Sequence, residues 1–385
     1  MVEAGNVQEV HAGEDRKMRI MFVIPSMNNG GSERVVANLS NCFCRNNDVR
    51  IVTITSDKSY YDLDERIDFR GQALKINRKN IFTTFGCYAK NFFQAKKYIK
   101  TNIEEFRPDC IISFLAEADF LVYLAAKGEK NIVKVFSERA DPTKRNKVRQ
   151  LMARKAYTIG DLFVCQSRKI SEYYDYIAKS KKVVIPNPLD VQILPAVAPE
   201  KNHNIVSVGR LSKQKNFALL IKSFAAVLDK LPEDCNLVIY GDGPLKAELS
   251  NLIEASGMKR RIKLAGASKN VLNEINGSAL FVLSSNFEGF PNVVLEAMAM
   301  GLPVISTDFY TGVAKELIKK ENGIMVPVCD EQKLSNAIVE IMQNKDLRVE
   351  MRKKNVLVRD RYSVEKISDL WLKNIAEIVE RKNER

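Results

Sequence analysis

The sequence predicts an α/β protein made of two doubly wound domains in series, and three observations predict it. Short β-branched and apolar runs alternate with stretches of helical spacing along most of the chain, the pattern of a parallel sheet covered by helices. The alternation breaks over residues 186–204, where PNPLDVQILPAVAPEKNHN carries four prolines and no helical period, as an interdomain linker would. At 385 residues the chain is longer than one hydrophobic core usually supports.

The elements follow in order. Residues 1–17, MVEAGNVQEVHAGEDRK, mix both charges and read as a tail. From Met18, MRIMFVIPSM reads as a strand, Asn28-Asn29-Gly30-Gly31 as a turn whose glycines permit close backbone approach, and SERVVANLSNCFC as a helix with Ser32 at its N-cap. VRIVTITS (Val49 to Ser56), DCIISFL (Asp109 to Leu115), NIVKVFS (Asn131 to Ser137) and LFVCQS (Leu162 to Ser167) supply further strands, which sets a first domain at 18–190. The pattern restarts in a second domain at 191–363: NIVSVGR (Asn204 to Arg210), a helix from Asn216 to Leu231, NLVIYGDG (Asn236 to Gly243), RIKLAG, ALFVLSS (Ala279 to Ser285), a helix from Asn292 to Met300, and PVISTD (Pro303 to Asp308). The closing segment, 364–382, is an amphipathic helix expected to cross back onto the first domain.

Composition narrows the function classes. Apolar content of 45% is that of an ordinary globular protein, so disorder is not the default. No apolar run is long enough to span a bilayer, and the N-terminus lacks the apolar stretch of a secretory signal, so a cytoplasmic location is expected. Seven scattered cysteines without a CxxC pair, and two distant histidines, His11 and His203, offer no zinc cluster; the cysteines read as small buried apolar residues in a reducing compartment. A net charge of +13 implies an anionic partner, and nucleic acid, anionic lipid and phosphorylated substrates all fit it.

Two stretches carry chemistry. GRLSKQKN (Gly209 to Asn216) places Arg210 and Lys215 just after a buried strand, at the mouth where open α/β sheets bind ligands, and two cations there can neutralise a diphosphate without a metal. In SSNFEGFPNVVLEAMAMGLPVIST (Ser284 to Thr307), Glu288 lies in a loop and Glu296 eight residues on in a helix, a spacing that lets one carboxylate face a sugar's hydroxyls and the other a ribose diol. The amides of Asn292 and Val293 are expected free at that helix's N-terminus. Either stretch alone is compatible with a solvated loop and surface glutamates; together with GDGPLK they are not.

On these residues the chain resembles the family 4 glycosyltransferases, retaining enzymes of the GT-B fold, from about Met18 to the C-terminus. The resemblance rests on NNGGSERVV, FSER, GRLSKQKN, GDGPLKAEL and EGFPNVVLE. It implies two Rossmann-like domains facing a central cleft, with Gly30 and Gly31 near the donor phosphates or the acceptor. It also implies Arg210 and Lys215 on the diphosphate, Glu288 on the donor sugar and Glu296 on the ribose. Gly209, Gly243, Gly289, Phe290, Pro291, Asn292 and Val293 fall in the same donor-binding motifs; Asp242 is a turn former or a ligand. The donor implied is a UDP-sugar, with no metal and no further cofactor.

One departure stands out. Many relatives carry a histidine after the strand that here ends FSERAD, and no histidine of this chain can serve there. Arg139 is open to a substrate phosphate and Glu138 to the acceptor or to orienting its neighbour, and both are equally open to structural roles. A front-face mechanism, in which the donor phosphate helps deprotonate the acceptor, needs no histidine. Beyond them, DPTKRNKVRQLMARKAYTIGD (Asp141 to Asp161) crowds Lys144, Arg145, Lys147, Arg149, Arg154 and Lys155 around one helix with Val148, Leu151, Met152 and Ala156 between. Such a helix rests on an anionic bilayer, grips a lipid diphosphate, or is a solvated face. It resembles the basic helix of N-acetylgalactosamine transferases that extend polyprenyl-diphosphate-linked glycans. A second cluster, Lys90 to Lys100 with Phe92, Phe93 and Tyr98, is expected on the same membrane side.

The expectation is therefore a peripheral enzyme on the cytoplasmic face of the inner membrane, moving a hexose or N-acetylhexosamine from a UDP-sugar to a lipid-linked glycan. A nucleic-acid-binding protein is supported by charge alone, without any recognised reading module, so no nucleic-acid partner is expected. A GT-B nucleotide-sugar epimerase is the other alternative, and the scarcity of histidine weighs against it.

Overall fold

The computed structural model describes residues 17–74 and 81–384, with backbone alone over 81–90. The expected tail at 1–17 lies, apart from Lys17, outside the described residues. The first sheet comprises β1 (Arg19–Ile24), β2 (Asp48–Thr53), β3 (Asp68–Gly71), β4 (Cys110–Phe114), β5 (Val133–Ser137), β6 (Leu162–Cys165) and β7 (Lys182–Val184), in the order β3-β2-β1-β4-β5-β6-β7. The second comprises β8 (Ile205–Val208), β9 (Leu237–Tyr240), β10 (Ile262–Gly266), β11 (Leu280–Leu283), β12 (Val304–Thr307) and β13 (Gly323–Val326), in the order β10-β9-β8-β11-β12-β13. Every pairing within both sheets is parallel.

Parallel strands need helical crossovers, which cover both faces, so the central strands are almost wholly apolar and buried. The edge strands β3 (DFRG), β7 (KVV) and β13 (GIMV) are short and half-exposed, and the sequence pattern did not mark them. Helices open on side-chain caps where the sequence supplies them: Asn146 Oδ1 accepts from Arg149 N at 2.9 Å and Asp330 Oδ1 from Lys333 N at 2.9 Å. The helix Gly31–Phe43 differs from expectation: its N-cap is Gly30, not Ser32. The Gly30 carbonyl accepts both from Arg34 N at 3.1 Å and from the Tyr61 hydroxyl at 2.8 Å, which begins the helix one residue before the serine. The helix expected from Asn216 to Leu231 is shorter, Phe217–Ala225, and continues as a 3₁₀ turn at Leu228–Lys230.

The chain crosses between the sheets twice. The first crossing runs from β7 to β8; the return lies beside it, with Leu189 N donating to Tyr362 O at 2.7 Å and Leu189 bridging to Ser363. The last helix, Val364–Asn383, then lays Ile367, Trp371, Ile375 and Val379 into the core of the first sheet, among Ile20, Phe22 and Phe114. Trp371 is fully buried, its ring stacked on Phe114 at 6.1 Å between centroids. The far end is anchored by Lys382, whose Nζ lies 2.7 Å from Asp161 Oδ2.

Trp371→Ala is expected to destabilise the first domain by about 3–5 kcal/mol, the usual cost of emptying a large aromatic site. A lowered urea midpoint of the whole chain would show it, and an unchanged midpoint would disprove the packing role.

Candidate functional site

In a doubly wound sheet the crevice beyond the carboxyl ends of the strands, where strand order reverses, is the place that admits a ligand. In the second sheet that reversal falls between β8 and β11. β8 runs into Gly209 and Arg210, β11 into Ser284 to Glu288, so motifs far apart in sequence meet there. Lys215 Nζ stands 2.6 Å from Glu288 Oε1. The Ser285 hydroxyl donates to the same oxygen at 2.7 Å, and Gln214 Nε2 donates to Oε2 at 3.1 Å. The two loops are also stitched by backbone: Ser284 Oγ donates to Lys215 O at 2.9 Å and Asn286 N to Gln214 O at 2.8 Å. Glu288 is thus a buried carboxylate with both oxygens held, and the Lys215 ammonium keeps donors to spare. Arg210 is exposed and pairs with no acid among the described residues.

Glycines let these loops touch. The Lys215 stem lies across Gly209, where a Cβ would sit 2.8 Å from Cε. At Gly241, held at φ 136°, a Cβ would fall 1.9 Å from Gly209 O, and at Gly243 one would fall 2.5 Å from Leu211 O. The close approach made by Gly243 is therefore to the neighbouring backbone. Asp242 Oδ1 accepts from Gly243 N at 2.7 Å, as a turn former does.

The second carboxylate faces the other domain. Glu296, on the helix Asn292–Ala299, lies 2.5 Å from Arg34 Nη2 on the helix Gly31–Phe43. Burial raises the Glu296 carboxyl above its usual range, and Arg34 pulls the other way. Gly31 is at the same junction, its missing Cβ pointing to a spot 3.3 Å from Asn292 Nδ2; the corresponding spot at Gly30 is filled by the Glu33 carboxylate. The Asn292 amide is not free as expected: it donates to Phe290 O at 3.0 Å in a turn. Phe290 itself is packed in the second domain's apolar core, Pro291 is the N-cap of the helix, and Val293 lies half-buried in its first turn.

At the end of β5 the structure gives Glu138 and Arg145 a task other than acceptor binding. Arg145 Nη2 reaches both Glu138 oxygens, at 2.7 and 2.8 Å; the amides of Arg139 and Ala140 donate to Oε1 at 3.0 and 3.1 Å, and the Tyr174 hydroxyl donates to Oε2. A carboxylate shut away from water needs that set of donors, and a carboxylate so occupied has no lone pair for an acceptor hydroxyl. Arg139 is buried as well. Its guanidinium lies over Phe114 at 4.7 Å and Trp371 at 5.5 Å, and Nη1 donates to Asn187 Oδ1 at 2.6 Å, while Nε and Nη2 have no partner. Burial pushes its pKa down to about 9.

Asn187 was missed in the sequence. Its Nδ2 donates to Asn292 Oδ1 at 2.7 Å, so Arg139, the linker and the Glu296 helix form one hydrogen-bonded chain. The signal that could have found it is a lone amide between Pro186 and Pro188, at the hinge itself. Beside that chain, Gly289 sits so close to the first domain that a Cβ would lie 2.2 Å from Arg139 O.

The basic helix is Lys147–Tyr157. It buries Ala153, Ala156 and Tyr157 and leaves Lys147, Arg149, Arg154 and Lys155 exposed with Val148 (68%) and Leu151 (60%). Arg149 pairs with Glu117 at 2.6 Å, and Arg154 lies 5.0 Å over the Tyr176 ring. Lys144, ahead of the helix, stands apart from these: its Nζ is 5.7 Å from the Phe287 ring of the second domain, next to Glu288. On the helix Ile81–Phe106, Phe93 is 68% exposed; the Lys90 side chain lies outside the described residues.

Comparisons with known proteins bear on the family and the fold. Residues 194–356 match the family model described as glycosyl transferases group 1, and residues 29–193 match glycosyltransferase family 4. The chain is 26% identical, over 94% of its length and 99% of the relative's, to the Campylobacter jejuni GalNAc-alpha-(1->4)-GalNAc-alpha-(1->3)-diNAcBac-PP-undecaprenol alpha-1,4-N-acetyl-D-galactosaminyltransferase. It is 29% identical, over 86% and 92%, to a second enzyme of that organism, the N-acetylgalactosamine-N,N'-diacetylbacillosaminyl-diphospho-undecaprenol 4-alpha-N-acetylgalactosaminyltransferase. The fold is shared with Anabaena Alr3699/HepE in complex with UDP, at a TM-score of 0.76 and 17% identity over 94% of this chain and 100% of that one.

Gly289→Ala is expected to hold the two domains apart. A misplacement of about 1 Å between reacting groups costs on the order of a hundredfold in rate, so turnover should fall by about that factor while the variant still folds. Steady-state kinetics with a melting curve would check it, and unaltered turnover would show that the contact is dispensable.

Proposed function

The chain belongs to the family 4 glycosyltransferases, and from that premise we propose a retaining, metal-independent enzyme. It moves a hexose or N-acetylhexosamine from a UDP-sugar to a polyprenyl-diphosphate-linked glycan, in the synthesis of a surface polysaccharide or a glycoprotein glycan. The observation that carries the reading is the Lys215–Glu288 contact at the β8/β11 reversal, with the exposed Arg210 in the loop that leaves β8. The two Campylobacter relatives, whose names specify diphospho-undecaprenol glycans, support the acceptor class, and the UDP complex of the Anabaena protein supports the donor nucleotide.

In this reading Arg210 and Lys215 neutralise the diphosphate as it leaves, the task a divalent cation performs elsewhere. Glu288 has about four acceptor sites, and Lys215, Ser285 and Gln214 occupy three, leaving one for a sugar hydroxyl. The bond from the anomeric carbon to the phosphate oxygen breaks, and the acceptor oxygen bonds to the same face of that carbon. The acceptor's proton passes to the departing phosphate oxygen, so no side-chain base is needed and the anomeric configuration is kept.

Membrane association is the second part of the proposal. Among the described residues no helix is long and apolar enough to cross a membrane. The exposed face of Lys147–Tyr157, with Phe93, combines basic and apolar side chains as a helix lying on an anionic surface does. Each basic residue near such a surface contributes about 1 kcal/mol. The cytoplasmic face of the inner membrane is the surface this reading assigns.

Arg210→Ala and Lys215→Ala should each lower kcat/KM for a UDP-sugar by roughly 10²–10³, the usual cost of one transition-state charge contact. Normal transfer in either variant would sink the assignment. Separately, Lys147→Glu combined with Lys155→Glu should abolish co-sedimentation with phosphatidylglycerol vesicles, whereas undiminished vesicle binding would exclude this helix as the membrane face.

A further inference from the structure

Arg34 has no part in the donor chemistry above, yet it provides the charged contact of Glu296. It rises from the first domain's helix Gly31–Phe43, and its Nη2 lies 2.5 Å from Glu296 Oε1 across the domain junction. Both side chains are largely out of solvent. A small cavity beside the pair is lined by Asn38 from the same helix, by Leu189 and Asp190 from the hinge, and by Asn292.

We propose that Arg34 is a positioning residue for the donor: it reaches across the cleft to keep the Glu296 carboxylate ionised and oriented, so the ribose-binding group of the second domain is completed by the first. The inference rests on the reading of Glu296 as the group that takes the ribose diol. A diol presents two donors, and an ionised carboxylate offers about four acceptor sites, of which Arg34 occupies one. A protonated carboxyl instead presents a donor of its own, which opposes one of the hydroxyls. Whether this buried carboxyl stays ionised depends on its neighbours.

Two further carboxylates lie around the junction. Glu33 follows Ser32 on the same helix as Arg34, its carboxylate turned toward the Ser26 hydroxyl at 3.3 Å, and Asp190 lines the adjoining cavity. The Tyr61 hydroxyl, which faces the same cluster, is pushed up to about 12 by burial and is neutral. Arg34 is thus the cation that offsets burial at Glu296.

The test is calorimetric titration of UDP and of 2′-deoxy-UDP into the full chain, as wild type, Arg34→Met and Arg34→Lys, from mildly acidic to mildly alkaline pH. In the wild type UDP should bind more tightly than its deoxy analogue. Arg34→Met should weaken UDP by about tenfold or more, the loss expected when a charged hydrogen-bond partner is removed, and should erase that preference. With the cation gone, Glu296 takes its proton at a higher pH, so the acid limb of UDP binding moves upward; Arg34→Lys should bring it back down. Donor KM should rise with kcat at saturating donor little changed. A folded Arg34→Met that keeps both the preference and the acid limb overturns the role of Arg34. A wild type that does not discriminate the two nucleotides overturns the ribose reading instead. If Arg34→Met does not fold, Arg34→Gln carries the same pH comparison.

Discussion

Parallel pairing forces the carboxyl end of every strand in a sheet onto one edge, and the loops that leave that edge have nowhere else to converge. In this chain the constraint operates twice, and the two edges meet. Because β8 and β11 are neighbours in space, Lys215 and Glu288 come within hydrogen-bonding distance although more than seventy residues separate them. Because the first sheet reverses between β1 and β4, the turn at Gly30 and Gly31 arrives opposite the helix that carries Glu296. Crossover helices on both faces make the strands apolar, and the polar residues are displaced to the ends where the chemistry is done.

The charges at those ends are mostly buried, and each is buried with its partners. Glu138 is enclosed by Arg145, Tyr174 and two amides, Glu288 by Lys215, Ser285 and Gln214, Glu296 by Arg34. Such pairs add little net stability over an apolar core of equal volume, but removing one partner strands a charge at a cost of about 3–5 kcal/mol. They fix geometry. Arg139 is the exception, with Nε and Nη2 lacking hydrogen-bond partners among the described residues and the guanidinium lying over two aromatic rings.

Much of this was legible in the sequence, and the rest was hidden for identifiable reasons. The central strands announce themselves because both faces are buried; β3, β7 and β13 do not, since an edge strand such as DFRG keeps half its residues in water. The edge strand β10 was visible because Ile262 and Leu264 alternate into the core. Arg210, Lys215, Glu288 and Glu296 were singled out by spacing from their own strand or from each other, which is local information. Glu138 was left open between the acceptor, its neighbour and a structural role, and Arg145 was counted with the basic helix, because what encloses them is Tyr174, nearly thirty residues beyond Arg145. Asn187 and Arg34 act across the domain junction, and nothing within a window of neighbouring residues specifies which helix lies opposite.

The last helix has a consequence for how the protein is made. Trp371 and its neighbours complete the core of a domain whose strands were synthesised from residue 19 onward, so the ribosome must finish the entire second domain before the first can close. Domains usually fold in the order in which they emerge; here the second is free to fold first, while the first waits with Phe114 uncovered. Arg139 rests on that same pair of rings, so its side of the cleft is assembled last. A nascent or truncated chain would therefore carry a folded second domain beside an open first domain until the last helix emerges.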